Sequence, residues 1–129
     1  MPDKETSKVA TLRELVNLQE VNHQIETGIQ AAIEQLAALK LNTADPVEAL
    51  RITTVINELN WKLYRVRAEY SAFMAEQGEL HMPTAEDVQK AKDYAMKIAA
   101  LVAGDATVDE ILSFTTKLLK AWNGGKIAN

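Results

Sequence analysis

The sequence predicts an all-α protein, a four-helix bundle made of a long antiparallel helical hairpin with a shorter helical hairpin packed against it. Alanine, leucine, glutamate, lysine and glutamine dominate the chain, and these residues favour helices. Three polar breaks divide the 129 residues into four stretches, and each stretch opens with residues typical of a helix start. Apolar residues recur at spacings of three and four in every stretch, which is the helical period.

The first helix is predicted at about residues 8–41. Thr11 and Glu14 form a capping-box pattern, although the helix could begin earlier, near Ser7. Gly28 costs helix stability, and we expect it to mark a close helix crossing rather than a functional kink. The predicted apolar seam of this helix comprises Leu15, Leu18, Asn22, Ile25, Ile29, Ala32, Leu36 and Leu39.

Asn22 interrupts that otherwise apolar seam, and two interpretations remain open. A buried asparagine at such a position fixes the register or the oligomeric state of packed helices at some cost in stability. Alternatively, Asn22 lies at the solvated end of the seam and has no such role. The sequence does not decide between them.

The second helix is predicted at residues 46–76, with Asp45 as its N-cap and Pro46 in its first turn. Its seam comprises Ala49, Ile52, Ile56, Leu59, Leu63, Val66, Tyr70 and Phe73. Two such seams joined by a short loop predict an antiparallel hairpin, in which Ile56 and Leu59 pack on Ile25 and Ile29. A further, half-apolar row has the same spacing: Val47, Leu50, Thr54, Asn57, Trp61, Tyr64 and Ala68.

The third and fourth helices are predicted at residues 85–103 and 108–122, with Thr84 and Thr107 as N-caps. They are too short to cover both long helices, so the second row on the 46–76 helix should stay partly exposed. Self-association commonly covers such a surface. We therefore predict a homodimer with Leu50, Trp61 and Tyr64 as interface candidates.

The whole chain, residues 1–129, is predicted to be one helical domain, because its length is that of a single domain. We expect its ends, residues 1–7 and 124–129, to be frayed. Trp122 should pack on the core, and Gly124 or Gly125 should cap the end of the last helix.

The charges of the two long helices also suggest a register for the hairpin. The first helix has four glutamates and no base between Glu14 and Glu34, whereas the second has several bases. A turn centred near Thr43 then predicts three sets of ion pairs: Glu34 with Arg51, Glu26 with Lys62, and Glu20 with Arg65 or Arg67.

The composition excludes several classes of function. A net charge of −4 argues against a nucleic-acid partner, because phosphate binding needs a basic face. The absence of cysteine removes disulfides, thiolate metal sites and thiol catalysis. The longest apolar run, residues 98–103, is too short to cross a bilayer, and the polar start has no signal peptide. We therefore expect a cytoplasmic protein without a membrane partner.

His23 is the one residue that suggests chemistry. Glu20 and His23 have the Glu-x-x-His spacing of helical di-metal proteins, but those sites use a second such motif and two further glutamates. The chain also resembles histidine phosphotransfer domains, which are acidic four-helix bundles with an exposed mid-helix histidine. Those domains carry a lysine three residues and a glycine four residues after the histidine, whereas here Glu26 and Gly28 follow at three and five.

The sequence contains no phosphate-binding loop, no nucleophile elbow and no recognisable triad, so we predict that the protein is not an enzyme and has no cofactor. The function that fits best is a non-catalytic helical interaction module: a small adaptor, chaperone-like or inhibitor-like protein acting through an apolar helical surface. The alternative is phosphotransfer or metal binding at His23. Nothing in the sequence identifies the protein partner or the biological process.

Overall fold

A computed structural model describes residues 10–102 and 105–128, and it confirms the predicted four-helix architecture. The four helices are α1 (Leu12–Asn42), α2 (Pro46–Met74), α3 (Ala85–Ala99) and α4 (Val108–Leu119), and a short 3-10 turn (Asn123–Gly125) follows. The described residues contain no strand. The fraying predicted for residues 1–7 lies outside the described chain, as does residue 129.

The predicted caps explain where the helices begin. Thr11, Thr84 and Thr107 each form a complete capping box with the acid three residues later. The Asp45 side chain accepts a hydrogen bond from the Val47 backbone N–H. Helix α1 therefore begins at Leu12, after its capping box, and the earlier start at residue 8 is not seen because Ala10 is not helical.

Three helices end earlier than predicted. Helix α2 stops at Met74 rather than residue 76, because the chain turns and Glu76 takes a φ of +60°. Helix α3 stops at Ala99 rather than 103, and the Gln35 side-chain amide donates to the Leu101 carbonyl beyond it at 2.8 Å. Helix α4 stops at Leu119 rather than 122, so its C-cap is Lys120 and not a glycine.

Helix α1 is the central element, because it packs against α2, α3 and α4, while α3 also packs against α4. Most of its predicted seam is buried, from Leu18 to Leu36. The predicted seam of α2 is buried at Ile52, Leu59, Leu63 and Val66. Its other members are only half-buried: Ala49, Ile56, Tyr70 and Phe73. Val55 is buried instead, so the core face of α2 is rotated slightly from the predicted seam.

Gly28 lies where α1 packs directly against both helices of the shorter hairpin. A Cβ atom built on Gly28 would lie 2.5 Å from Leu118 Cδ2 and 3.4 Å from the Ala95 Cβ. All three residues are buried. The absence of a side chain therefore lets α1 approach α3 and α4 closely, which confirms the crossing interpretation.

We expect Gly28→Ala to destabilise the fold, although alanine is the better helix former by about 1 kcal/mol. Crowding against Leu118 typically costs about 1–3 kcal/mol, so a net loss of up to about 2 kcal/mol should appear in urea unfolding. In a Leu118→Ala background the same change should instead stabilise, since the clash is gone and the new methyl group fills space. A gain in both backgrounds would show that the crossing is not tight.

The C-terminal residues are packed rather than frayed, which corrects the expectation for residues 124–128. Trp122, Ile127 and Ala128 are all buried, and for Trp122 this confirms the prediction. The chain turns back because Asn123, Gly124 and Gly125 all have positive φ values. Two consecutive glycines accommodate this conformation without the Cβ strain that other residues would suffer.

Glu69 on α2 anchors this C-terminal segment. One of its carboxylate oxygens, Oε1, accepts hydrogen bonds from the Trp122 indole N–H at 3.0 Å and from the Asn123 side chain at 3.4 Å. Asn123 in turn accepts from the His81 backbone N–H at 2.9 Å. The segment thus ties α2 to the loop between α2 and α3.

The predicted ion pairs do not form. Glu26 binds Arg67 through two hydrogen bonds of 2.7 and 2.8 Å, which raise the pKa of the Arg67 guanidinium. Arg67 lies further along α2 than the predicted partner Lys62, so the hairpin register is shifted from the estimate based on a turn at Thr43. Two of the other charges pair with residues outside the hairpin, Arg51 with Asp109 and Glu20 with Lys92, whereas Arg65 pairs with Glu69 within α2.

Candidate protein-interaction surface

His23 is exposed on α1, as its place off the apolar seam predicts. It borders a shallow depression that is also lined by Glu20 and Lys92. The Glu20 carboxylate is already used, because it lies 3.5 Å from the Lys92 ammonium and 3.4 Å from the Gln24 amide. Among residues 10–102 and 105–128, no group of three or more histidine or acidic side chains is placed to hold a metal ion.

The two features that phosphotransfer would need at His23 are not brought together. The residue at the lysine position of the family, Glu26, faces Arg67 across the hairpin. Gly28 is buried at the helix crossing and so does not open space beside His23 for a partner. Within the described residues, no cationic side chain pairs with His23 or with Glu26 except Arg67, which Glu26 binds across the hairpin.

We therefore expect His23→Ala to change the free energy of unfolding by less than about 0.5 kcal/mol, as is usual for an exposed site. Chemical denaturation followed by circular dichroism would measure the change. A zinc titration of the parent protein and the variant would be the companion experiment. A clearly larger loss of stability would refute this prediction, and tight metal binding that disappears in the variant would show that His23 is not dispensable.

The face of α2 that points away from the core carries the second apolar row of the sequence. We call it the outer row, and it comprises Val47, Leu50, Thr54, Asn57, Trp61, Tyr64 and Ala68, all of them exposed. At 100° per residue, this row is centred opposite the buried residues Ile52, Leu59 and Val66. The other helices therefore cannot cover it.

Four large apolar side chains of the outer row face solvent. The exposed fractions are 76% for Val47, 67% for Leu50, 59% for Trp61 and 62% for Tyr64. Trp61 and Tyr64 stack on each other, with ring centroids 5.8 Å apart and planes inclined by 18°. Exposed tryptophan and tyrosine are the side chains most often found at binding hot spots. The structure thus brings the predicted interface candidates Leu50, Trp61 and Tyr64 onto one face.

Charged residues follow one edge of the outer row, in the order Arg51, Glu58, Arg65. Asp109 holds the Arg51 guanidinium at 2.6 Å, and Arg65 pairs with Glu69 at 3.3 Å. Glu58 is exposed and forms no ion pair within the described part of the chain. The opposite edge carries Thr53, Asn60 and Arg67.

The structure also shows a group of lysines that the sequence analysis did not identify. Lys97 and Lys117 lie 4.9 and 5.6 Å from the centre of the Tyr94 ring. Lys90 and Lys120 line the same depression between α3 and α4, together with Asp87 and Asp93. Lys90 and Lys97 are seven residues apart in the sequence, and this spacing predicts that they share one face of α3. Because both signs of charge meet there, the group is not a simple anion site.

Asn22 is neither a fully buried residue with satisfied hydrogen bonds nor a fully solvated residue at the end of the seam. Its side chain is half-buried, and its Oδ1 atom is buried without a hydrogen-bond partner in the described structure. The residue therefore lies at the margin of the core, and its side chain forms no hydrogen bond within the described residues that would fix a register. Asn17, five residues earlier, donates instead to the Pro83 carbonyl at 3.3 Å.

Comparisons of the chain with protein-family models, with curated proteins and with solved structures find no match. None of the helices in the described residues is both long enough and apolar enough to cross a membrane.

Proposed function

We propose that this protein is a non-catalytic interaction module that binds protein partners through the outer row of α2. The observation that supports the proposal is the line of Val47, Leu50, Trp61 and Tyr64 on the side of α2 away from the core. Apolar surface beyond a few hundred Å² is uncommon on monomeric proteins and usually marks a binding site. The row also has a rim of charged and polar residues, as protein interfaces do.

Homodimerisation is part of this proposal. A long helix with a second apolar row at spacings of three and four matches the pattern by which helices pair with one another. A cytoplasmic adaptor, chaperone-like protein or inhibitor would use the same surface, and the cysteine-free composition suits a reducing compartment. The outer row is therefore the surface on which binding should be measured first.

We expect the protein to sediment at twice its 14.3 kDa monomer mass at concentrations of tens of micromolar. Trp61→Ala should weaken this association more than it weakens folding, because Trp61 contributes to the surface and not to the core. Analytical ultracentrifugation over a dilution series would give the dissociation constant. Met96→Ala is the matched control, since Met96 is a large apolar residue with 69% of its surface exposed, against 59% for Trp61, but lies on α3.

Two results would contradict the proposal in different ways. Sedimentation at the monomer mass throughout the series would refute the homodimer and leave the outer row for a different protein, which a pull-down with the parent and Trp61→Ala chains would seek. Equal weakening by Trp61→Ala and Met96→Ala would show that association uses another face.

A further inference from the structure

The outer row has a sequence that is complementary to itself in one orientation. We infer that it binds the outer row of a second copy of this chain, with the two α2 helices antiparallel and the two-fold axis passing between Val55 and Ile56. This inference rests on the proposed interaction function and specifies its first partner. The order of side-chain sizes and the order of charges along α2 support it independently.

The order of sizes is the first argument. In this register Val47 packs on Tyr64 of the second copy, Leu50 packs on Trp61, and Thr54 packs on Asn57. Each aromatic side chain from the C-terminal half of one row thus meets an aliphatic side chain from the N-terminal half of the other. All four large exposed apolar residues of each outer row are covered. The two polar residues, Thr54 and Asn57, meet next to the two-fold axis, where the Asn57 amide can form hydrogen bonds across the interface.

The order of charges is the second argument. In antiparallel helix pairs, the residues along one edge of the apolar row face the same edge of the other helix, so Arg51 of each chain faces Glu58 of the second copy. Arg51 is already held at the rim by Asp109, and Glu58 has no ion pair in the described chain. On the opposite edge Thr53 faces Asn60, and no charges meet. Complementary edge charges select orientation and register in helix pairs.

Neighbouring antiparallel registers are less favourable. A shift of one heptad places Arg51 opposite Arg65 and Glu58 opposite Glu58 of the second copy, so like charges meet on this edge. A shift of two heptads again brings opposite charges together, because Glu58 faces Arg65 of the second copy. It also pairs Asn57 with Ala68 and Thr54 with Ser71. That register leaves Val47 and Leu50 of both chains in solvent.

A parallel pair is also disfavoured. It would place Trp61 against Trp61 and Val47 against Val47, so the bulky residues would all lie at one end. Its edges would bring Thr53 to Glu58 and Asn60 to Arg65, and neither of these pairs joins opposite charges. The antiparallel register centred between Val55 and Ile56 is therefore the one that satisfies both arguments.

Disulfide trapping would test the register directly, because the chain contains no cysteine. Three variants with a single cysteine are made separately: Thr54→Cys, Asn57→Cys and Ala68→Cys. The variants are mixed in pairs, and one chain of each pair carries a longer tag so that a mixed dimer is distinguished by its size. Mild oxidation should give the mixed dimer of Thr54→Cys with Asn57→Cys, since these positions face each other. Disulfide bonds need Cα atoms within about 7 Å, so only facing positions can be joined efficiently.

Each alternative predicts a different product. Efficient trapping of Asn57→Cys with Ala68→Cys would establish the shifted antiparallel register, and trapping of Ala68→Cys with itself would establish a parallel pair. Either product would overturn the inference. A protein that sediments as a dimer but forms none of these products associates through another register or another face, and this result would also overturn the inference. A protein that sediments as a monomer lacks the proposed self-association altogether.

A charge exchange provides a second measurement that leaves the apolar row unchanged. Arg51→Glu and Glu58→Arg should each weaken self-association several-fold, because each places like charges at the rim. Mixing the two variants should restore the parent dissociation constant, as should combining both changes in one chain. In the register shifted by two heptads, Arg51→Glu would have little effect on association. Glu58→Arg would weaken association there, and mixing it with Arg51→Glu would not restore the parent dissociation constant. That result would overturn the inference even if the cysteine variants associate poorly.

Discussion

Replacing Trp122 by alanine is expected to lower the free energy of unfolding by about 3–5 kcal/mol, the range for a buried tryptophan truncated to alanine. Trp122 has only 1% of its surface exposed, and its ring packs 6.2 Å from that of Tyr70. The change would leave a cavity between α2 and the C-terminal segment. It would also remove the indole N–H that binds Glu69.

Two further variants separate these contributions in urea or thermal unfolding. Trp122→Phe keeps most of the ring volume but removes the N–H donor, so it should lose less stability than Trp122→Ala. Trp61→Ala removes the same side chain from a largely exposed site, and at concentrations where the protein is monomeric it should change stability little. A loss below about 1 kcal/mol for Trp122→Ala would show that the C-terminal segment is not part of the cooperative fold.

Truncating Leu59 to alanine should cost about 2–5 kcal/mol, as for other buried leucines. Leu59 is 2% exposed, and it lies in the middle of the core face of α2. The loss should be large because this face of α2 supplies the contact with α1, and a cavity there cannot be closed by a nearby loop.

Leu41→Ala is the control for Leu59→Ala, because Leu41 is 87% exposed at the end of α1. The same change in side chain at that position should stay within about 0.5 kcal/mol. If the two leucine variants lost equal stability, the face of α2 that packs on α1 would have been assigned wrongly. Chemical denaturation of both variants at one protein concentration provides the comparison.

The helices of this protein were predictable because their signals are local. A capping box such as Thr11 with Glu14 involves four consecutive residues, and the apolar spacing that buries Ile25 and Ile29 depends on one helix alone. The ion pairs were not predictable, because they depend on how far one helix slides along another. The Glu26–Arg67 pair reflects that offset, and the Arg51–Asp109 pair depends on where α4 begins relative to α2.

The C-terminal segment shows a second kind of failure. The sequence indicated that Trp122 is buried, but the residues after it looked like a polar, glycine-rich end. Their packing depends on positive φ values at Asn123 and its two following glycines and on Glu69, which is distant in sequence. The outer row, in contrast, was visible as a second periodic pattern on α2. Its exposure was expected from the lengths of the other helices, and in the structure it follows from the position of the row opposite the buried face of α2. The partner proposed for it, a second copy of the chain, could be inferred only once the exposed side chains and the ion pairs of the edge residues were known.

The close crossing at Gly28 has a consequence for protein synthesis. Gly28 lies near the start of the described chain, and Leu118, which fills the space above it, lies near the end. A ribosome therefore releases α1 and α2 long before α4 can dock. During that interval the hairpin exposes the apolar side of α1 to other chains, a state that is prone to aggregation. Translation speed and chaperone supply should therefore influence the soluble yield of this protein more than its final stability suggests.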